Sequence, residues 1–422
     1  MKMMNKIEYK NIGETVFCGE LPNGLQVYVI PKPGFQSFYA IYGTKYGGAM
    51  RRFSLDGQMH DTPAGVAHFL EHKMFDLPGG DNALNILSSN GADPNAFTSS
   101  GATCYYFRCT SGFEENLRML LHFVSTPYFT EETVQKEQGI IGQEIRMGDD
   151  SPGSEIYYNL LSLLYDHHPI KDKVAGTIDS IAEITAQTLY DCHKVFYSPS
   201  NMVLCVEGDV DPEKILSIAS EELPPEKNSI PRADFGAPES LLPAAAKKSV
   251  SMEVSAPQFL IGAKVDPFAD LRTKIVASIA LKLLCGSSSS FYTRLYAEGL
   301  LTRDFDFETD YSAETGTVII GGESPYPEKV YAEFVKELAS VASDGFDSAY
   351  FDRCLKSAIG SRLRTLEDFE DVCVNTVFGR FEGFDYFDGY ELIKGITKED
   401  CESWLAENLP EERLAISIIT PV

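Results

Sequence analysis

His68-Phe69-Leu70-Glu71-His72 is the segment whose residue types and spacing can do chemistry. On a helix, His68 and His72 share one face a turn apart, so both imidazoles can hold one zinc ion. Glu71 lies between them in height and points close to the same side, where its carboxylate could take a proton from a water activated by the metal. The order H-x-x-E-H reverses the commoner H-E-x-x-H zinc signature. Asp61-Thr62-Pro63 predicts the helix start, a capping residue followed by proline at the first helical position, with the helix over residues 64–75. Val66, Ala67, Phe69, Leu70, Met74 and Phe75 make this a packed helix rather than a surface helix with two solvated histidines.

A catalytic zinc takes three protein ligands and keeps a position open. A later helix, capped by Thr130 with Glu131 and Glu132 in its first turn, offers Glu137 and Glu144 on nearly one face, two turns apart. Spacing alone does not choose between those two, nor does it exclude Glu132 or His122. Gly139 and Gly142 on the same helix are poor helix formers and predict close packing against another element. His122 reads as partly buried packing on an amphipathic helix, and His167 and His168, before Pro169, as surface or structural residues of a loop. Cys104 and Cys109, five apart on a β-rich stretch, read as thiols rather than ligands.

The elements that must position these residues fall into two halves with the same order of parts. Residues 1–222 read as one domain: strands at Leu25–Ile30, Ser37–Tyr46 and Thr103–Arg108, the H-x-x-E-H helix, paired helices from Glu114 and Thr130, a closing strand at Met202–Val206 and a helix from Pro212. Residues 223–249 hold five prolines and read as a semi-rigid linker. Residues 250–422 repeat the order, with strands at Phe259–Val265, Thr317–Ile320 and Leu414–Thr420 and helices at Ser290–Gly299, Tyr331–Ala342 and Phe351–Leu366. All seven histidines precede position 194, so the second copy is degenerate and without metal ligands. The expected fold class is α+β: two similar domains, each a mainly antiparallel sheet packed with helices, facing across a cleft.

A chain of 422 residues, 44% hydrophobic and 23% charged, is long enough for two domains. A net charge of −26 argues against nucleic acid and anionic membranes as partners. No stretch is read as a membrane span, and the N-terminal residues carry no apolar run like that of a secretion signal. Nine cysteines, odd in number and without a C-x-x-C pair, read as reduced thiols of a cytoplasmic protein.

The H-x-x-E-H motif, Asn95-Ala96-Phe97-Thr98, the Glu137/Glu144 pair, Asn201-Met202 before a strand and the degenerate second half together resemble the pitrilysin or insulinase-type (inverzincin) zinc metallopeptidases. That family includes insulin-degrading enzyme and the mitochondrial processing peptidase, and the likeness is nearest to its short two-domain Gram-positive bacterial members. The resemblance spans essentially the whole chain. It implies one zinc per chain held by His68, His72 and Glu144, Glu71 as general base, and Glu137 orienting a ligand. It implies that the strand with Asn95, Ala96 and Phe97 pairs with a peptide substrate as an added β-strand. The implied activity is endopeptidase cleavage of short or unfolded peptides. One departure stands out: many active members use an Arg and a Tyr, seven apart, from the second domain. The matching Leu295–Thr302 has neither in register, although Tyr296, Arg294 and Arg303 are near. The alternative is therefore a non-catalytic or partner-dependent subunit, as a homodimer or with a related chain.

Overall fold

The computed structural model describes residues 4–422; Met1, Lys2 and Met3, the start of the N-terminal stretch, lie outside them. The chain forms two compact units, one of residues up to Ile145 with Lys173–Phe235 and Leu363–Phe387, the other of Arg146–Asp172, Gly236–Arg362 and Asp388–Val422.

The first unit is built on a seven-stranded sheet in the order Asn5–Tyr9, Glu14–Glu20, Gln26–Pro31, Met202–Gly208, Phe38–Thr44, Thr103–Cys109, Ala92–Thr98. Only Gln26–Pro31 and Met202–Gly208 pair in parallel; every other ladder is antiparallel. Tyr42, Tyr105, Phe107 and Leu204 share a core with Phe69 and Leu70 of the motif helix and Leu117, Leu120 and Leu121 of helix Phe113–Ser125. The helix Phe369–Glu382, from the far end of the sequence, packs on strands Met202–Gly208 and Phe38–Thr44. Gly43 makes room for it: a Cβ there would stand 2.9 Å from Val377.

The second unit has a five-stranded sheet in the order Lys247–Met252, Ala415–Pro421, Gln258–Lys264, Thr315–Glu323, Asp306–Ser312, parallel only in its first pair. Here the covering helix is Pro152–Leu164, whose Leu160, Leu161 and Leu164 pack with Ile319 and Ala415. Gly262 makes room for Leu160, at 2.9 Å from where a Cβ would sit. Gly43 and Gly262 occupy strands that answer each other in the repeat, so the two units solve the same packing problem alike.

The units therefore differ from a cut at residues 222 and 250 in two segments, 146–172 and 363–387. Each carries a helix, Pro152–Leu164 or Phe369–Glu382, whose buried side packs on the sheet of the other half of the sequence. The 223–249 stretch is also less free than its prolines suggest. Arg232–Ala233 pairs with Arg52–Leu55. Glu239 accepts backbone N–H bonds from Asp166, His167 and His168 at 2.9–3.2 Å, which with Lys264 beside it hold its carboxyl down to about 2 against burial.

The expectation that no stretch approaches a membrane span needs correction. Leu271–Ala297 is long and apolar enough, with a mean hydropathy of 1.3 over its most apolar 18 residues. It forms two helices, Leu271–Cys285 and Ser290–Ala297, and its Ile275, Leu281, Leu284, Phe291 and Leu295 are core residues of the second unit. Burial in protein accounts for its hydropathy.

Candidate metal centre

The motif helix is shorter than predicted, Val66–Lys73, and it starts differently. Asp61 ends the strand Gln58–Asp61, and the Thr62 hydroxyl donates to the carbonyl of Arg51 at 3.0 Å, so neither caps the helix. Gly65 holds the N-cap position at φ 94°, with no side-chain cap. It is pressed against the segment before Gly176: a Cβ on Gly65 would lie 2.6 Å from the Ala175 carbonyl oxygen, and one on Gly176 would lie 2.6 Å from that of Ala64. Ser180 Oγ donates to that Ala64 oxygen at 2.8 Å. Phe69 and Leu70 are fully buried, so the helix is held from below while His68 and His72 face the helix Glu131–Asp149.

Thr130 caps that second helix as expected, its Oγ1 accepting from the Thr133 N–H at 3.1 Å. Two turns of it place Glu137 and Glu144 against the histidines. His68 Nε2 lies 3.4 Å from Glu144 Oε1 and His72 Nε2 lies 3.5 Å from Glu144 Oε2. His72 Nδ1 is hydrogen-bonded to Glu137 Oε1 at 3.0 Å. One ligand atom each from His68, His72 and Glu144 falls within 4.8 Å of the others. Two imidazole nitrogens and a carboxylate oxygen converging in this way suit a divalent metal, and three protein donors leave room for water or substrate. Glu137 fixes His72 with its Nε2 toward the cluster, the carboxylate-imidazole pairing that metal sites commonly use. His68 Nδ1, by contrast, is buried with no hydrogen-bond partner among the described residues.

The electrostatics follow from this crowding. Burial works to lower the His72 pKa, but the Glu137 hydrogen bond and the charges of Glu137, Glu71 and Glu144 together raise it above the ordinary histidine value. The Glu144 carboxyl is lowered, first by its hydrogen bond to His68, with burial opposing.

Glu71 receives a hydrogen bond from Thr98 Oγ1 at 2.5 Å. Thr98 ends the strand Ala92–Thr98, the outermost of its sheet, which also carries Asn95, Ala96 and Phe97. Asn95 is exposed and its Oδ1 accepts from the Ala96 N–H at 2.9 Å; Phe97 stacks on Phe378 with ring centres 6.2 Å apart. The structure thus brings His68, Glu71, His72, Glu137, Glu144 and the end of this strand together.

The remaining candidates lie outside the cluster, and two expectations are corrected. His122 is exposed and outside the cluster rather than partly buried. Gly139 packs against nothing within 4 Å of a Cβ position, and Gly142 meets only Ile178 at an ordinary 3.4 Å, so these glycines do not mark a tight helix contact. Glu132 is exposed on the first turn, and Cys104 and Cys109 are buried free thiols. In the second unit, Arg294 is tied to Glu333 at 2.6 Å and Glu337 at 3.4 Å, while Tyr296 stacks on Tyr292. Sequence reading placed Thr98 in the substrate-strand string but gave it no role toward Glu71, because nothing in a strand threonine announces a carboxylate 27 positions earlier.

Comparison with known proteins bears directly on this geometry. The model described as "Insulinase (Peptidase family M16)" matches residues 56–178, which contain the whole cluster, and that of the "Peptidase M16 inactive domain" matches residues 183–357. A Bacillus subtilis (strain 168) protein described as an uncharacterized zinc protease, YmfH, is 37% identical over 99% of this chain and 100% of its own length. The chain belongs to peptidase family M16. An M16-like peptidase from Alicyclobacillus acidocaldarius superposes with a TM-score of 0.92 at 32% identity, covering 97% of this chain and 99% of that one. Pitrilysin shares the fold, with a TM-score of 0.78 at 15% identity, covering 100% of this chain and 47% of that one. The two-domain α+β architecture is thus that of M16 peptidases. The metal-type cluster lies in the half matched by the insulinase model, and the half without histidines after His193 is matched largely by the inactive-domain model.

Proposed function

We propose that this M16 chain is a zinc-dependent endopeptidase of short or unfolded peptides. The observation that carries the reading is the convergence of His68, His72 and Glu144 within 4.8 Å, with Glu137 behind His72 and Glu71 beside them. His68, His72 and Glu144 would hold one zinc per chain. When bound, zinc supplies Lewis acidity toward water and the scissile carbonyl. Glu71 is the general base, accepting a proton from the attacking water and passing it to the leaving amine. Glu137 keeps the His72 ring oriented. The edge strand with Asn95, Ala96 and Phe97 receives the peptide as an added strand, since main-chain pairing is indifferent to sequence and suits varied, unfolded substrates. The nine free thiols support a reducing, cytoplasmic setting for this activity.

The test is zinc content and peptide cleavage on one preparation, wild type beside Glu71→Gln. About one zinc per chain in both, with cleavage in wild type alone, is the expected outcome; full activity in Glu71→Gln removes Glu71 as base. A second reading, a partner-dependent subunit in a homodimer or with a related chain, is favoured by one observation. The arginine nearest the position of the family's second-domain pair, Arg294, is already neutralised by Glu333 and Glu337. Zinc-loaded protein that cleaves no peptide pool alone, yet does so with a related chain added, would establish it.

A further inference from the structure

The hydroxyl of Thr98 is the hydrogen-bond donor found on Glu71, at 2.5 Å, and it reaches that carboxylate from the last residue of the edge strand. Its own position is closely constrained. Thr98 and Thr103 are direct cross-strand partners, and the Thr103 hydroxyl, shared between the Tyr46 carbonyl at 2.9 Å and Thr98 Oγ1 at 3.3 Å, supports it from behind. The turn that follows is pinned on both sides. Ser99 N–H donates to the Ala102 carbonyl at 2.8 Å, and Gly48 and Ala49 N–H donate to the Ser99 and Ser100 carbonyls at 3.0 Å. Gly47 allows this approach, since a Cβ there would stand 2.5 Å from the 100–101 backbone. A flexible carboxylate is thus gripped by a hydroxyl whose own backbone has little freedom.

We propose that Thr98 is a positioning residue for Glu71: it fixes one carboxylate oxygen, leaves the other to act as base, and ties the base to the strand that receives the peptide. The inference rests on the reading of Glu71 as base. A carboxylate free to rotate spends part of its time turned away from the reacting water, so losing the anchor lowers turnover without weakening the peptide's main-chain pairing. Removing such an orienting partner typically costs about 10–100-fold in activity.

The experiment compares wild type, Thr98→Val, Thr98→Ser and Glu71→Gln in the full chain, using the best-cleaved peptide of a protein digest. Thr98→Val is expected to lose kcat by about 10-fold or more, with KM and zinc content at wild-type levels, and Thr98→Ser to recover most of it because it keeps the hydroxyl. A crystal structure of metal-free Thr98→Val supplies the readout that needs no turnover: the Glu71 carboxylate should leave the wild-type rotamer. Unchanged kcat in Thr98→Val, Thr98→Ser as impaired as Thr98→Val, or an unmoved Glu71 in those crystals each overturns the proposal. Should Thr98→Val not fold, Thr98→Ala replaces it in both measurements. An active Glu71→Gln would instead remove the base reading; an inactive Glu71→Gln beside a fully active Thr98→Val removes only the role of Thr98.

Discussion

Glu137 and Glu144 stand seven residues apart on one helix, yet they meet different nitrogens. Seven residues return a helix to within about 20° of its starting direction, so the sequence presents the two carboxylates as near equivalents. What separates them is which side of each imidazole they reach: Glu137 meets only the Nδ1 of His72, while Glu144 faces the Nε2 of both histidines. That distinction depends on two helices meeting, and no spacing rule within one of them contains it. By contrast, His68, Glu71 and His72 were legible because their relation is local to one turn. The pairing has a consequence for metal affinity. Glu137→Gln keeps an acceptor oxygen but removes the charge, and Glu137→Ala removes both, so zinc affinity should fall by about 10-fold and about 100-fold respectively. Competition against a chromophoric chelator measures this. Equal affinity in all three proteins would mean that His72 needs no orienting partner.

At the scale of the element, the motif helix was placed correctly and its start was not. The Asp-Thr-Pro signal failed because a strand pairing claims the Asp61 backbone and the Arg51 carbonyl claims the Thr62 hydroxyl. The chain enters the helix instead through Gly65, in a left-handed conformation and against another backbone segment. Its close contact is with residues more than a hundred positions away, so only the fold reveals why glycine is needed. Gly65→Ala should therefore cost about 1–3 kcal/mol for the backbone conformation alone. The displaced Ala175 carbonyl adds to that, and the helix holding His68 and His72 moves with it. Gly139 is the opposite case, an ordinary helical glycine with open space where its Cβ would be. Gly139→Ala should stabilise by about 0.5–1 kcal/mol and leave cleavage unchanged. Thermal unfolding of the two variants beside wild type should show shifts of opposite sign. If Gly65→Ala melted with wild type, the close approach at the helix start would not be what fixes the motif.

For the molecule as a whole, the repeat of strands and helices was legible because strand and helix periodicities are local. The exchange of two helices was not. Pro152–Leu164 is amphipathic, and an amphipathic face states that it needs a sheet without stating which; Phe369–Glu382 carries Val374, Phe378 and Phe381 off its buried side, so its sequence presents no such clear face. The nearest signal was the pair of strand glycines, Gly43 and Gly262, which have a physical reason only once a helix lies over them. In the first unit that helix also covers Glu207, which is fully buried, with Lys32 Nζ 3.3 Å away and the Cys373 thiol donating to it at 3.8 Å. Burial pushes the Glu207 carboxyl up to about 8 from 4.5, with Lys32 pulling the other way. The sign follows from linkage. Between about 4.5 and about 8 the folded chain keeps a proton that the unfolded chain has released, so stability falls as pH rises through that window and levels off above it. Glu207→Gln removes the group that titrates while Lys32 keeps Glu14 at 2.6 Å. The variant should gain on wild type steadily from pH 5 to pH 8, by a few kcal/mol at most, and the gap should stop widening above that. Unfolding midpoints of the two proteins at pH 5, 7 and 9 decide the matter. A constant difference across that range would show that Glu207 is ionised throughout, held by Lys32 despite its burial, and that the helix over it closes on an ion pair rather than on a neutral acid.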